Sequence, residues 1–154
     1  MNKIITLTGN KYCGKLTLAY KLSRNSEVEF VKPYTDKEFE YGVDPEKYGD
    51  YHFVSEDTLD IMIDEEEVLC STKINGSRYV IFMSQIQSPY SVIIADDCQL
   101  MDIKEKWSNL YTIKVHGRNE KPSRRVGVYF YDKEFDEVFN YNEDDYDLLE
   151  ARIE

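Results

Sequence analysis

The strongest constraint in this 154-residue chain is the segment Gly9-Asn10-Lys11-Tyr12-Cys13-Gly14-Lys15-Leu16-Thr17. It follows Lys3-Ile4-Ile5-Thr6-Leu7-Thr8, a β-branched apolar run that reads as a buried strand ended by Gly9. From Gly14 onward Leu16, Ala19, Tyr20 and Leu22 fall at helical spacing, which predicts a helix to about Arg24. The pattern G-x-x-x-x-G-K in a strand–loop–helix context matches a phosphate-binding loop, whose glycines let backbone N–H groups converge on phosphate oxygens at the positive end of a new helix. Lys15 would then reach the β/γ-phosphates, and Gly9, Cys13, Gly14, Lys15, Leu16 and Thr17 are the candidate binding residues. The plainer alternative is a glycine-bounded turn with a solvated lysine. The Ser or Thr that usually follows the lysine and helps to hold Mg²⁺ is Leu16 here; Thr17 comes one residue later, turned by about 100° on the helix.

Along the rest of the chain, Val28–Val31 reads as a strand stopped by Pro33, and residues 34–48 as a polar, aromatic stretch with turns. Tyr51–Val54 alternates like a strand. Ser55 is a good N-cap for a helix to about Glu66, with Glu56 and Asp57 in its first turn. Asn75-Gly76 between Val68–Ile74 and Arg78–Phe82 is the clearest hairpin signal. Ser91–Ala95 reads as a second buried strand, Met101–Trp107 as a helix and Leu110–Val115 as a strand. Residues 116–127 form a basic loop, Tyr129–Phe139 is ambiguous, and Asp144–Ile153 is expected to be a helix capped by Asn142. Strands alternating with helices predict an α/β fold with a mainly parallel sheet, in a single domain over 1–154.

Asp96 and Asp97 end the strand Ser91–Ala95. Ligands of open α/β sheets gather at the carboxyl ends of strands, so the pair suits a Mg²⁺ site near the loop; an acidic pair there also serves as a helix cap. The formal charge of −11, with 19 basic and 30 acidic residues and a pI near 4.7, argues against general nucleic-acid binding. That charge is unevenly spread. Residues 1–26 carry +5, 27–67 carry −12, 68–131 carry +4 and 132–154 carry −8. No apolar run reaches the length of a membrane span and no signal peptide is evident. Cys13, Cys70 and Cys98, odd in number and widely spaced, read as reduced thiols, which points to a cytoplasmic setting.

Through most of its length the sequence resembles guanylate kinases. The resemblance rests on the phosphate loop with Thr17-Leu18 and on Asp50-Tyr51-His52-Phe53-Val54-Ser55 ahead of a helix. It extends to the acidic turn Glu65-Glu66-Glu67-Val68-Leu69, Asn75-Gly76-Ser77-Arg78-Tyr79, Asp97-Cys98-Gln99 and Asp136-Glu137-Val138-Phe139-Asn140. It implies the P-loop nucleoside monophosphate kinase fold: a mainly parallel sheet flanked by helices, a small mixed acceptor-binding region over about 34–82, and a shortened lid over 116–128. It also implies ATP and Mg²⁺ as cofactors and GMP or dGMP as the acceptor. Lys15 and Thr17 would bind ATP phosphates, Tyr51 and Tyr79 the acceptor phosphate, and Asp97 would lie near the acceptor or metal.

The chain departs from the family where the acceptor is gripped. Asp36 and Phe39 stand near the positions of two phosphate-clamping arginines, leaving Lys37 as the nearby cation, and Cys70 stands where an acidic residue reads guanine. A carboxylate at that place is expected to repel phosphate. Arg118, Arg124 and Arg125 are the candidates for stabilising the transferring phosphoryl group, or else a solvated basic loop. Two functions follow from the resemblance. One is ATP-dependent phosphoryl transfer to a nucleoside monophosphate with an eroded acceptor side. The other is a catalytically inactive guanylate kinase fold acting through a protein partner or in regulation. Neither involves a membrane.

Overall fold

The computed structural model describes residues 2–10, 13–38, 50–117 and 134–140. Its elements are β1 (Lys3–Thr8), α1 (Lys15–Leu22), β2 (Val28–Phe30), β3 (Tyr34–Thr35), β4 (His52–Phe53), α2 (Glu56–Glu65), β5 (Val68–Ile74), β6 (Ser77–Phe82), β7 (Tyr90–Ile94), α3 (Asp97–Lys106), β8 (Leu110–His116) and β9 (Glu137–Asn140). They fall into two compact units, Met1–Phe30 with Ser88–Glu154, and Val31–Gln87. The expected helix over 144–153 and the arginines at 118, 124 and 125 lie outside the described residues.

The first unit is built on a five-stranded sheet in the order β2-β7-β1-β8-β9, with every pairing parallel. Strands covered on both faces read as continuous apolar runs, and β1 is buried from Ile4 to Thr8. Side chains alternate along it. Ile5 and Leu7 join Leu18, Ala19 and Leu22 of α1 in one core, with Val92, Ile113, Val115 and Phe139 from the neighbouring strands. Ile4, Thr6 and Thr8 fall on the opposite face. The connection β1–α1–β2 runs toward one edge, whereas β7–α3–β8 runs toward the other. Right-handed crossovers in opposite directions place their helices on opposite faces, and the buried Leu100 and Ile103 of α3 accordingly stand outside the α1 core. The chain direction therefore switches at the carboxyl end of β1.

The second unit holds a sheet in the order β4-β3-β6-β5, in which β3 pairs parallel with β4 and antiparallel with β6. The β5–β6 hairpin forms at Asn75-Gly76, whose φ values of 50° and 85° give the tight two-residue turn that their sequence predicts. Ser55 caps α2, its side chain accepting from the Thr58 N–H at 3.1 Å. Leu59 on α2 packs against Val80 and Phe82, with Tyr34, Val54, Met62, Ile63 and Val68 around them. This core defines one face of the small sheet. Among the described residues no helix is long and apolar enough to cross a membrane.

Candidate functional site

The loop after β1 stands where the strand order reverses, the place at which open α/β sheets hold ligands. Its floor is set by two glycines on one cysteine. A Cβ on Gly9 would lie 2.5 Å from the Val115 carbonyl oxygen and 2.7 Å from Cys13 Sγ. One on Gly117 would collide with the Cys13 carbonyl, whose carbon would be 2.9 Å away. Cys13 is 2% exposed, and its N–H donates to the Asn10 carbonyl at 3.2 Å. Its role is thus packing: the thiol is the small group that lets the loop fold down on the end of β8.

Gly14 takes φ 100° as the N-cap of α1, and no side chain caps this helix. In α2 and α3, by contrast, Ser55 and Asp96 cap the amino ends and acidic residues occupy the first turns; α1 has none there. A helix amino end without acidic residues in its first turn favours an anion over a cation nearby. Lys15 is half-buried, and its Nζ donates to the Gly9 carbonyl at 2.5 Å, so the ammonium folds across the mouth of its own loop. Leu16 is 40% exposed and Thr17 is exposed beside it. Five of the sequence-nominated residues from Gly9 to Leu16 are therefore brought together by β1, the loop and the first turn of α1, with Thr17 next to them.

Asp96 and Asp97 divide their work. Asp96 is the N-cap of α3: its Oδ1 accepts from the Gln99 N–H at 2.8 Å, while its own N–H donates to Gln99 Oε1 at 3.0 Å. The helix consequently starts four residues before the Met101 expected from periodicity. Asp97 is 9% exposed and its Oδ1 is buried with no hydrogen-bond partner. Thr8 Oγ1, at the end of the adjacent β1, is likewise buried and unpartnered. A buried carboxylate oxygen without a donor is suited to a cation, so Asp97 fits a Mg²⁺ ligand better than Asp96 does. No three His, Cys, Asp or Glu among the described residues form a metal site of their own.

In the second unit the Tyr51 and Tyr79 rings are tilted against each other with centroids 5.2 Å apart, and Phe53 stands edge-on to Tyr51 at 6.1 Å. Burial, followed by the charges of Tyr79 and Asp50, holds the Tyr51 phenol above its ordinary pKa. Lys37 is exposed, its N–H donating to Thr35 Oγ1 at 3.1 Å, and Cys70 is buried. Asp36 is placed otherwise than the sequence suggests. Its carboxylate accepts from the Arg78 N–H and Nε, both at 2.8 Å, so its charge is matched within the unit rather than left to repel phosphate. Burial alone raises the Asp36 pKa, but the Arg78 hydrogen bonds and charge outweigh it and hold the carboxyl below the ordinary 3.8. A carboxyl with a depressed folded pKa stabilises the fold above its unfolded pKa, and that contribution is lost as pH falls through the folded value. Urea midpoints should thus fall more steeply below about pH 4 in the parent chain than in Asp36→Asn; parallel pH profiles would refute the assignment.

No protein-family model matches the sequence, and no curated protein matches it. Among solved structures, the guanylate kinase from Anaplasma phagocytophilum superposes with a TM-score of 0.62 at 15% identity, over 99% of this chain and 82% of that one. The chain has a guanylate kinase-like P-loop fold, with a parallel sheet flanked by helices. Gly117 and Arg78 are the residues that sequence reasoning passed over. A glycine directly after a buried strand was the available signal for the first, and it gains meaning only once β8 is known to lie beside β1.

Proposed function

We propose that this chain is a P-loop phosphotransferase that binds ATP·Mg²⁺ at the loop over 9–17 and passes the γ-phosphoryl group to a nucleoside monophosphate, with GMP and dGMP the first acceptors to test. The observation that carries this reading is the uncapped, acid-free amino end of α1 with the Lys15 ammonium folded over it. The loop amides and Thr17 would hold the phosphates, and Lys15 would balance charge on the β/γ-phosphates as the bond to ADP breaks. Asp97, with Asp96 holding the start of α3 in place, would orient the cation. Mg²⁺ held there would supply charge neutralisation for the nucleotide phosphates. Tyr51, Tyr79 and Lys37 would meet the acceptor phosphate, and Arg118, Arg124 and Arg125 would add positive charge around the transferring group. Catalysis would then consist of positioning and electrostatics with no covalent intermediate.

A second reading, a fold kept for protein binding without turnover, is favoured by one observation. Arg78 is the sole arginine between 31 and 87, and it is already committed to Asp36 and Asp60. A coupled ADP-release assay separates the two. Release that depends on GMP or dGMP is expected for the phosphotransferase. ATP binding with no release for any nucleoside monophosphate would leave the second reading.

A further inference from the structure

Arg78 and Tyr79 are consecutive on β6, so their side chains leave opposite faces of the small sheet. Val80 and Phe82 share the Arg78 side and pack on Leu59, which identifies it as the α2 face. There the Arg78 N–H and Nε bond the two oxygens of Asp36, Nη1 bonds Asp60 Oδ1 at 2.6 Å and Nη2 reaches the Glu56 carbonyl at 3.3 Å. One guanidinium thus ties the end of β3, the start of β6 and the first turn of α2. The Asp36 side chain is only 9% exposed, whereas that of Asp60 is 56% exposed, so the Asp36 arm is the better shielded. On the other face, Thr35 is directly opposite Tyr79 and pairs with Phe53. Thr35 Oγ1 accepts from the Lys37 main-chain N–H, and the Tyr51 ring is tilted against Tyr79. The ion cluster and the tyrosine pair are the two sides of one three-strand junction.

We propose that Arg78 is a positioning residue for the acceptor: its fork to Asp36 and α2 fixes β3 against β6 and so sets the spacing of Tyr79 and Tyr51 on the opposite face. This rests on the phosphotransferase reading for what the face binds, while the spacing itself is measurable without any activity. A planar fork is needed because Nε must meet the Asp36 carboxylate while Nη1 and Nη2 reach α2; a lysine keeps the main-chain N–H bond to Asp36, but its ammonium cannot make that set of three.

The test uses the 154-residue chain with ¹³C-labelled tyrosine, the variants Arg78→Ala, Arg78→Lys, Asp36→Asn and Asp60→Asn, and calorimetric titrations with GMP and with ATP·Mg²⁺. In Arg78→Ala and Asp36→Asn the ring-to-ring NOE between Tyr51 and Tyr79 should weaken, and the GMP dissociation constant should rise about tenfold while that for ATP is unchanged. Arg78→Lys should restore little of either, and Asp60→Asn should stay within about twofold of the parent, as an exposed pair does. If Arg78→Ala fails to fold, Asp36→Asn carries the comparison, since it keeps the shape and removes the charge. A full-strength NOE in a folded Arg78→Ala or Asp36→Asn chain overturns the proposal. So does full Arg78→Lys rescue. A parent chain that binds ATP but no monophosphate refutes the acceptor reading alone, and the NOE then decides the positioning role.

Discussion

Lys15→Ala is expected to remove measurable binding of ATP·Mg²⁺, a loss of at least about 100-fold, with little change in thermal stability. The ammonium stands at the uncapped end of α1, where no acidic residue shares the first turn, and it is held over the loop by the Gly9 carbonyl. Removing it deletes a full positive charge held over the loop while leaving the strand, the glycines and the helix in place. Lys15 is half-buried and lies outside the α1 core, so the loss is expected to fall on phosphate affinity rather than on folding. Calorimetry with the parent and the variant side by side reads this directly, and unchanged affinity would remove Lys15 from the site.

Gly9→Ala should act on both stability and binding. Its Cβ has nowhere to go, because the Val115 carbonyl at 2.5 Å belongs to the backbone of β8 and Cys13 Sγ at 2.7 Å is itself buried. Forcing β1 and β8 apart at this point costs roughly 3 kcal/mol, a fall of about 6–12 °C in Tm for a chain of this size. ATP binding should disappear with it, since the loop cannot close over Cys13. Gly117→Ala should do the same from the other side. Gly76→Ala is the control: nothing lies within 4 Å of its Cβ, so only the positive φ of 85° is strained. That should cost about 1 kcal/mol with ATP affinity intact. Differential scanning calorimetry of the three variants checks the order, and a Gly9→Ala chain as stable as the Gly76→Ala chain would contradict it.

Local signals were the legible ones. The start of α1 at Gly14, the Ser55 cap and the Asn75-Gly76 hairpin are each specified by residues within a few positions of one another, and each forms where the sequence places it. Strand β3 was hidden in a polar, aromatic stretch. It is two residues long, and its Tyr34 pairs with residues 18 and 46 positions away, His52 and Val80, which no local pattern announces. The start of α3 was legible but read for its charge. Asp96-x-x-Gln99 is a capping box written in four residues, and recognising it moves the helix start and separates a capping aspartate from a buried, unpartnered one.

Asp36 shows why a single residue change is hard to interpret from sequence. A carboxylate in place of a phosphate-gripping arginine reads as a loss of function when its surroundings are unknown. Here it is half of an ion pair with Arg78, 42 positions away, and the charge that matters is that of the pair. Within the −12 block, Asp36 and Asp60 share the Arg78 guanidinium, and Lys37 is exposed beside them in sequence.

Isothermal titration of the 154-residue chain with ATP·Mg²⁺, repeated on Lys15→Ala, tests the phosphate loop most directly. Saturable one-to-one binding in the parent, absent in the variant, is the expected result. A parent chain that takes up no ATP, or a Lys15→Ala chain that binds it as tightly, would contradict the assignment of this loop to nucleotide phosphates.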